Sequence, residues 1–148
     1  MKFKPKIRSK VWNKKFEETI LRSWDTKRLF RFNPKGGKSL FSIDTPPPYV
    51  NTPIHIGHAY TYVIMDAVAR SRRMLEFNVL FPIGLDNNGL PIEVQVEKTF
   101  NISINKTSRE DFIQKCRQMI EETGEESLDI FKKLGISFNS WENEYKIG

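Results

Sequence analysis

The pattern of hydrophobic and polar positions along the chain predicts alternating helices and strands. Between about residues 13 and 27, apolar side chains recur every fourth position, as in an amphipathic helix that packs one face. These side chains belong to Trp12, Phe16, Ile20 and Trp24. A turn at residues 33–38 leads into an apolar run at residues 39–44, which favours a strand ending at Thr45. Residues 46–48 are all proline, so they donate no backbone hydrogen bonds and predict a stiff exit from the sheet.

The strongest helical pattern begins at Gly57 and extends to about Phe77 without proline or an internal glycine. Its apolar stripe is predicted to be Tyr60, Ile64, Val68 and Leu75. The charged residues between them are interpreted as its solvated face, namely Asp66, Arg70, Arg72 and Arg73. Residues 78–85 are apolar throughout and predict one buried strand, with Pro82 near its end or at a bulge. Strand, helix and strand form a right-handed βαβ unit whose cleft opens at the carboxyl ends of the strands.

Two further helices are predicted after this unit. A short one extends from Pro91 to about Phe100, and a longer one begins after Ser108, where Asp111 completes a capping box. Gly135 is expected to terminate the longer helix. Its apolar face is predicted to comprise Phe112, Cys116, Met119, Ile120, Leu128 and Phe131. The chain is therefore expected to have an α/β fold.

Composition narrows the class of protein. The chain has 148 residues and no apolar run long enough to cross a bilayer, and its N-terminus lacks the apolar core of a secretory signal. A cytoplasmic protein is therefore expected. Cys116 is the single cysteine, which is interpreted as a packed structural thiol, and only two histidines are present. A cysteine and histidine zinc cluster is excluded, so no protein-bound metal is expected and any metal should arrive with a substrate.

The positive charge is concentrated at the N-terminus. Residues 1–38 contain 13 basic and 3 acidic residues, a net charge of +10, whereas the rest of the chain has a net charge of −4. Such a segment can bind the phosphates of a nucleic acid, and it can equally be a solvated tail. The sequence leaves both alternatives open. We predict a basic helical extension at residues 1–38 and a separate domain at residues 39–148.

The candidate chemistry lies between the first strand and the main helix. His55 and His58 are three positions apart at the expected helix N-terminus, where backbone N–H groups and the helix dipole favour an anion. Gly57 between them leaves a surface without a side chain, which a flat nucleobase can approach. When a carboxylate attacks the α-phosphate of ATP, no catalytic base is required, but the developing charge must be stabilised. Two imidazole donors suit that requirement.

Asp86 follows the second strand and is the acidic candidate of the site. At the carboxyl end of a strand it can pair with the ammonium group of an amino acid. The alternative is that its side chain caps the polar turn at residues 87–89.

Three motifs in order resemble the class I aminoacyl-tRNA synthetases. The tetrapeptide His-Ile-Gly-His at residues 55–58 matches the family signature, and Ile-Asp-Thr-Pro-Pro-Pro at residues 43–48 precedes it. Gly-Leu-Asp-Asn-Asn-Gly-Leu-Pro-Ile-Glu follows at residues 84–93. Together they are most similar to the valyl, isoleucyl and leucyl subgroup, and among these to archaeal valyl enzymes. The resemblance implies the first half of a Rossmann-like nucleotide-binding catalytic domain.

The resemblance also implies roles for individual residues. His55 and His58 would stabilise the ATP phosphates as catalytic residues, and Gly57 and Gly89 would contact ATP. The amino-acid site would comprise Pro46, Pro47 and Asp86, with Tyr49 and Asn51 as further substrate contacts. The implied substrates are ATP with Mg²⁺, valine and tRNA(Val).

The second signature of the family, Lys-Met-Ser-Lys-Ser, does not occur in the 148 residues. We therefore expect half an active site, which forms no adenylate alone, and a possible second chain that carries the rest. Three alternatives stay open: a nucleotide-binding or tRNA-binding module or remnant without catalysis, a fragment of an isoleucyl enzyme, and a relative of the nucleotidyltransferases.

Overall fold

The computed structural model describes residues 11–141 and 145–147. The chain contains both helices and strands, as expected of an α/β fold. Their bounds are α1 Lys14–Lys27, β1 Leu40–Ser42, α2 Ile56–Met74, β2 Asn78–Leu80, β3 Gly84–Asp86, α3 Leu90–Phe100, α4 Arg109–Lys133 and β4 Tyr145–Ile147. The four predicted helices and the strand expected within residues 39–44 are confirmed in their predicted order. The part of the prediction that falls on residues 1–10 lies outside the described residues.

The strands pair in parallel, as the βαβ pattern predicted. β1 pairs with β2, and β3 pairs with β4. The single strand predicted over residues 78–85 was wrong, because it is interrupted at residues 81–83. Pro82 donates no ladder hydrogen bond, and the N–H of Phe81 binds the side-chain Oδ1 of Asn139 instead of a neighbouring strand. The Nδ2 of the same asparagine donates to the carbonyl of Val79 at 2.9 Å, so Asn139 takes the place of a strand partner.

The helix boundaries follow local capping chemistry. Asn13 accepts a hydrogen bond from the N–H of Lys15 at 2.9 Å and begins α1. Ser108 accepts one from the N–H of Asp111 at 3.1 Å and begins α4, which confirms Ser108 as the cap. The predicted capping box is not completed, because the Asp111 carboxylate accepts from the Ser108 hydroxyl at 2.7 Å and not from the Ser108 backbone N–H. Gly135, with φ of +70°, ends α4 as expected.

Helix α2 presents a different face to the core from the one predicted. The predicted apolar stripe is largely exposed, with fractions of 69% for Tyr60 and 48% for Ile64. Val68 and Leu75 are exposed too. The buried positions are Tyr62, Asp66 and Ala69. Both sets have helical spacing, so tertiary packing decides between them.

Asp66 was predicted to be solvated, and this was wrong: its carboxylate holds α2 to the segment after α4. Oδ1 accepts hydrogen bonds from the backbone N–H of Ser137, at 2.7 Å, and from the hydroxyl of the same residue. Oδ2 pairs with Nε of Arg70 at 2.6 Å. Arg70 then donates to the carbonyl of Gly135 at 2.6 Å. A buried carboxylate needs such partners, because an unpaired charge in the interior is costly.

Two other predicted solvated arginines are also partly buried. Arg73 donates to the carbonyl of Ser137 at 2.9 Å, and burial lowers its pKa to about 10, so it remains protonated at neutral pH. Arg72 lies over the ring of Phe41, with 4.7 Å between its guanidinium carbon and the ring centroid. The polar face that the sequence indicated is therefore an internal contact surface.

Two hydrophobic clusters fill the core. The first surrounds Phe81, Phe131 and Phe138 beneath α2 and β2. The second lies between β3, α3 and α4 and includes Val96 and Phe112. The predicted apolar face of α4 is confirmed, since each of its members is buried or half-buried.

We predict that Asp66→Asn lowers the free energy of unfolding by about 2–3 kcal/mol. Removing one partner of a buried ion pair typically costs about 3–5 kcal/mol, and we reduce this because the Arg70 side chain is 33% exposed. The measurement is urea denaturation followed by circular dichroism. The matched control is Asp129→Asn, which breaks an exposed pair with Lys133 and should change stability by less than about 1 kcal/mol. Equal effects of the two substitutions would refute the Asp66 clamp.

We also predict that Cys116 reacts with thiol reagents more slowly than free glutathione at pH 8. Burial, and to a lesser extent the nearby Glu93 carboxylate, raises the pKa of this thiol, so less of it is thiolate. Reaction with a chromogenic disulfide, with and without denaturant, measures the difference. Fast reaction in the folded state that denaturant does not accelerate would contradict the assignment of Cys116 as a packed residue.

Candidate functional site

The two histidines of the signature cap the N-terminus of α2 reciprocally. His55 is the cap residue, and its Nδ1 accepts a hydrogen bond from the N–H of Gly57 at 3.0 Å. The Nδ1 of His58 accepts one from the N–H of His55 at 3.5 Å. The two imidazole rings lie with their centroids 4.1 Å apart. The predicted proximity of these side chains is confirmed by the geometry.

This capping has a chemical consequence for both rings. A neutral imidazole whose Nδ1 accepts a hydrogen bond carries its proton on Nε2. The protonation state is assigned from the hydrogen bonds and not from visible protons. Each ring then keeps an Nε2–H that can donate to an anion at the helix terminus.

The pKa of His58 is shifted in the direction that favours the neutral ring, whose Nδ1 can accept the hydrogen bond from His55. Burial, and after it the neighbouring His55, lowers the pKa of His58 below its ordinary value of 6.5. His58 is therefore neutral at physiological pH. Because its pKa is lower in the folded than in the unfolded chain, its contribution to stability is present above pH 6.5 and is lost as pH falls below that value.

Gly57 has an intramolecular role that the sequence did not reveal. A Cβ at this position would lie 2.9 Å from Cε1 and 3.1 Å from Nδ1 of the His55 ring. Any side chain would displace the capping imidazole. The glycine is thus required by the histidine cap itself, apart from any contact with a nucleobase.

The proline segment is attached to both neighbouring elements. The hydroxyl of Tyr62, on α2, donates to the carbonyl of Pro46 at 3.1 Å. The N–H of Asp86, at the end of β3, donates to the carbonyl of Pro48 at 2.9 Å. Parallel strands end at one edge of a sheet, and these two bonds hold the prolines at that edge.

Asp86 forms the turn that its alternative interpretation predicted. Its Oδ1 accepts a hydrogen bond from the N–H of Asn88 at 3.0 Å. Its Oδ2 makes no hydrogen bond to the residues that the structure describes. The turn therefore fixes the carboxylate and leaves one oxygen for a ligand. Gly89 follows with φ of +97°, a conformation that favours glycine, and begins α3.

The remaining candidates lie at the edges of this group. Tyr49 forms a parallel bridge with Asp86 and is 46% exposed. Pro47 and Asn51 are half-buried. Among the described residues, Asn51 makes no hydrogen bond to another candidate. The structure thus connects the proline segment, α2 and the turn at residues 86–89, but does not connect Asn51 to them.

Sequence reasoning missed two residues that position the site. Tyr62 connects α2 to the proline segment, and Asp66 fixes the same helix to Ser137. They occupy positions i and i+4 of one helix face, with Ala69 at i+7. That spacing is visible in the sequence. The neighbouring stripe of Tyr60, Ile64 and Val68 has the higher hydropathy, however, so the sequence predicted that stripe as the buried face.

Two other properties bear on the class of site. Within residues 11–141 and 145–147 the structure contains no group of three potential ligands arranged around a metal position. Among the same residues, no helix combines the length and the hydropathy that a membrane span requires. Trp24 lines clefts that lie away from the signature residues.

A family model described as tRNA synthetases class I (I, L, M and V) matches residues 19–147. This chain belongs to that family. The class I resemblance expected from the three motifs is therefore confirmed.

Curated relatives in this family include valine–tRNA ligases from three organisms. The chain is 40% identical to that of Pyrobaculum aerophilum, and the match covers 89% of this chain and 17% of the relative. It is 39% identical to that of Methanocaldococcus jannaschii, over 92% of this chain and 15% of the relative. It is 37% identical to that of Wolbachia pipientis, over 94% of this chain and 16% of the relative. The chain thus spans about one sixth of the length of these class I enzymes.

A solved structure supports the fold. The chain matches LeuRS of Agrobacterium radiobacter, determined as a ternary complex with tRNA and LeuAMS, with a TM-score of 0.70 and 24% identity. The match covers 83% of this chain and 14% of that chain. At this identity the similarity establishes the fold, an α/β segment with parallel strands.

We predict that His58 titrates below pH 6.5 and that both histidines carry the Nε2 proton when neutral. His55→Asn should raise the pKa of His58 without restoring it to 6.5, because burial is the larger cause of the shift and His55 the smaller. Asparagine is a good helix cap, so the helix end should persist. Long-range ¹H–¹⁵N correlation spectra across a pH titration measure both properties. A His58 pKa at or above 6.5 in the parent chain would contradict the described environment.

Proposed function

We propose that this chain supplies the N-terminal part of a valyl-tRNA synthetase active site. The activity is the ATP-dependent conversion of valine to valyl-adenylate, followed by transfer to tRNA(Val). ATP with Mg²⁺, valine and tRNA(Val) are the substrates, and the cytoplasm is the proposed location. The observation that carries the proposal is the reciprocal histidine cap at the start of α2, in a chain whose relatives are valine–tRNA ligases.

The histidine cap suits stabilisation of phosphate charge. The valine carboxylate is already ionised and pyrophosphate is a good leaving group, so the residues need only orient the reactants and stabilise developing charge. The Nε2–H groups of His55 and His58 would donate to phosphate oxygens as catalytic residues. Because Nδ1 of each ring is held by the backbone, the donors are oriented before the substrate binds. Gly57 and Gly89 would contact ATP where a side chain is absent.

The other half of the proposed site receives the amino acid. The Oδ2 of Asp86, which makes no hydrogen bond to the described residues, would pair with the valine ammonium group through a charge-assisted hydrogen bond. Pro46 and Pro47 would line the pocket for its side chain, since the bonds from Tyr62 and Asp86 hold the proline segment in place. We also propose Tyr49 and Asn51 as substrate contacts. The division of the chain at residue 38 remains a prediction.

A second candidate function is a nucleotide-binding or tRNA-binding module without catalysis. It is favoured by the histidine cap itself, because two imidazole donors at a helix terminus can hold a phosphate without any reaction. The chain spans 15–17% of the length of the valine–tRNA ligases that it resembles. The Lys-Met-Ser-Lys-Ser signature does not occur in the sequence. Under this alternative the chain binds its ligand without reacting. Adenylate formation would require the remainder of a synthetase, in the same polypeptide or in a second chain.

We predict that the 148-residue chain shows no valine-dependent ATP–pyrophosphate exchange alone and gains it when the remaining part of a related valyl enzyme is added. In the reconstituted enzyme, His58→Ala should lower kcat by on the order of 10²-fold or more, the typical cost of one charge-stabilising donor. Tyr60→Phe is the control, because Tyr60 is exposed and lies two positions further along the same helix, on a different face from His58.

Each result separates the candidates. Exchange with valine but not with isoleucine supports the valyl function, and exchange with isoleucine only would replace it by the isoleucyl one. If complementation restores no exchange, the non-catalytic module is the better description. Full activity of the His58→Ala variant would refute the proposed role of the histidine cap.

A further inference from the structure

Tyr62 lies on the same face of α2 as the candidate residue His58. The two residues are four positions apart, and Asp66 follows four positions later, so the three side chains form one column along the helix. The column runs from the half-buried His58 to Tyr62, which is 3% exposed, and then to the buried Asp66. The face of α2 that enters the core therefore begins at the proposed phosphate site.

Neighbouring aromatic rings fix the ring of Tyr62. Its centroid lies 4.6 Å from that of Phe131, which is on α4, and 5.8 Å from that of Phe138, in the segment after α4. Both phenylalanines are buried in the first hydrophobic cluster. A ring that is packed in such a core does not turn without displacing its neighbours. The core thus determines where the hydroxyl of Tyr62 lies.

That hydroxyl connects α2 to the proline segment by donating to the carbonyl of Pro46 at 3.1 Å. Proline has no backbone N–H, so residues 46–48 can form backbone hydrogen bonds only as acceptors. The second anchor is the carbonyl of Pro48, which accepts from the N–H of Asp86 at 2.9 Å and connects the segment to β3. Only the first of these two bonds comes from a side chain, so a substitution can remove it.

We propose that the hydroxyl of Tyr62 is a positioning group that sets the distance between the amino-acid pocket and the histidine cap. The inference rests on the proposed function, in which ATP binds at the cap and valine binds beside Pro46 and Pro47. Tyr62 is too deeply buried to contact either substrate, so it acts through the carbonyl of Pro46 and through the helix that carries His58. Attack of the valine carboxylate on the α-phosphate requires alignment of the two groups, and a displacement of about 1 Å can cost about 10²-fold in rate.

The alternative is that Tyr62 only fills space in the core. Its ring would then stabilise the fold, and its hydroxyl would not affect the proline segment. Tyr62→Phe separates the two roles, because it keeps the ring and removes the donor. The matched control is Tyr60→Phe, the same chemical change at an exposed position on another face of α2.

Amide hydrogen exchange of the 148-residue chain tests the positioning role without any enzyme assay. Loss of the anchor at Pro46 should loosen the segment, so the Asp86 amide, which is bonded to its other end, should exchange roughly tenfold faster in Tyr62→Phe. The amide of Ala69, a fully buried residue of α2, reports global unfolding, so the ratio of the Asp86 rate to the Ala69 rate corrects for any general loss of stability. Tyr60→Phe should leave this ratio unchanged. The same ratio in Tyr62→Phe as in the parent chain would overturn the proposal.

Steady-state pyrophosphate exchange by the reconstituted enzyme tests the functional consequence. Tyr62→Phe should raise KM for valine roughly tenfold and lower kcat, while KM for ATP stays unchanged, because the pocket moves and the cap does not. A residue that only packs would reduce the amount of active enzyme and change neither KM. Tyr62→para-aminophenylalanine keeps an N–H donor at the same place and should restore KM for valine.

The two measurements distinguish failure of this inference from failure of the proposed function. An active parent enzyme whose Tyr62→Phe variant keeps its KM for valine, or loses affinity equally for valine and ATP, would overturn the positioning role. Absence of exchange by the reconstituted parent would instead count against the proposed function. In that case the ratio of amide exchange rates alone decides whether Tyr62 positions the proline segment.

Discussion

The Asp66 carboxylate fixes the helix that begins with the two candidate histidines to the rest of the molecule. It receives hydrogen bonds from Ser137 and pairs with Arg70, so α2 is fixed to the segment that follows α4. The neighbouring Phe138 then packs in the core under α2. Arg70 also lies against Trp24, which attaches α1 to the same helix. A buried charge tolerates few alternative arrangements, since each one would leave it unpaired. The histidine cap stands at the other end of this fixed helix.

Local chemistry explains most of what the sequence predicted correctly. The capping at Ser108, the termination at Gly135 and the proximity of His55 and His58 each depend on residues a few positions apart. Parallel pairing followed from the βαβ order. The errors arose where distant residues decide the outcome. Ser137 and Asn139 are more than 50 positions from the groups they bind, so neither the burial of Asp66 nor the break at Phe81 was visible in a local pattern.

The candidate site was predictable as a motif but not as a geometry. The sequence indicated donors at a helix terminus, and it offered capping as the competing explanation for Asp86. In the structure both histidines and Asp86 cap backbone N–H groups, and each keeps one polar atom that makes no hydrogen bond within residues 11–141 and 145–147. Capping and binding are therefore compatible. Because the cap uses Nδ1 and Oδ1, it fixes Nε2 and Oδ2 as the available groups. Preorganisation of this kind is what charge stabilisation requires.

An NMR titration of the ¹⁵N-labelled chain with ATP and Mg²⁺ tests the central claim, that the α2 terminus is a phosphate site, most directly. We expect saturable shifts of the Nε2 resonances of His55 and His58 and of the Gly57 amide, while their Nδ1 atoms remain hydrogen-bonded. Shifts confined to other residues, or an ATP-induced move of the proton from Nε2 to Nδ1, would contradict the claim.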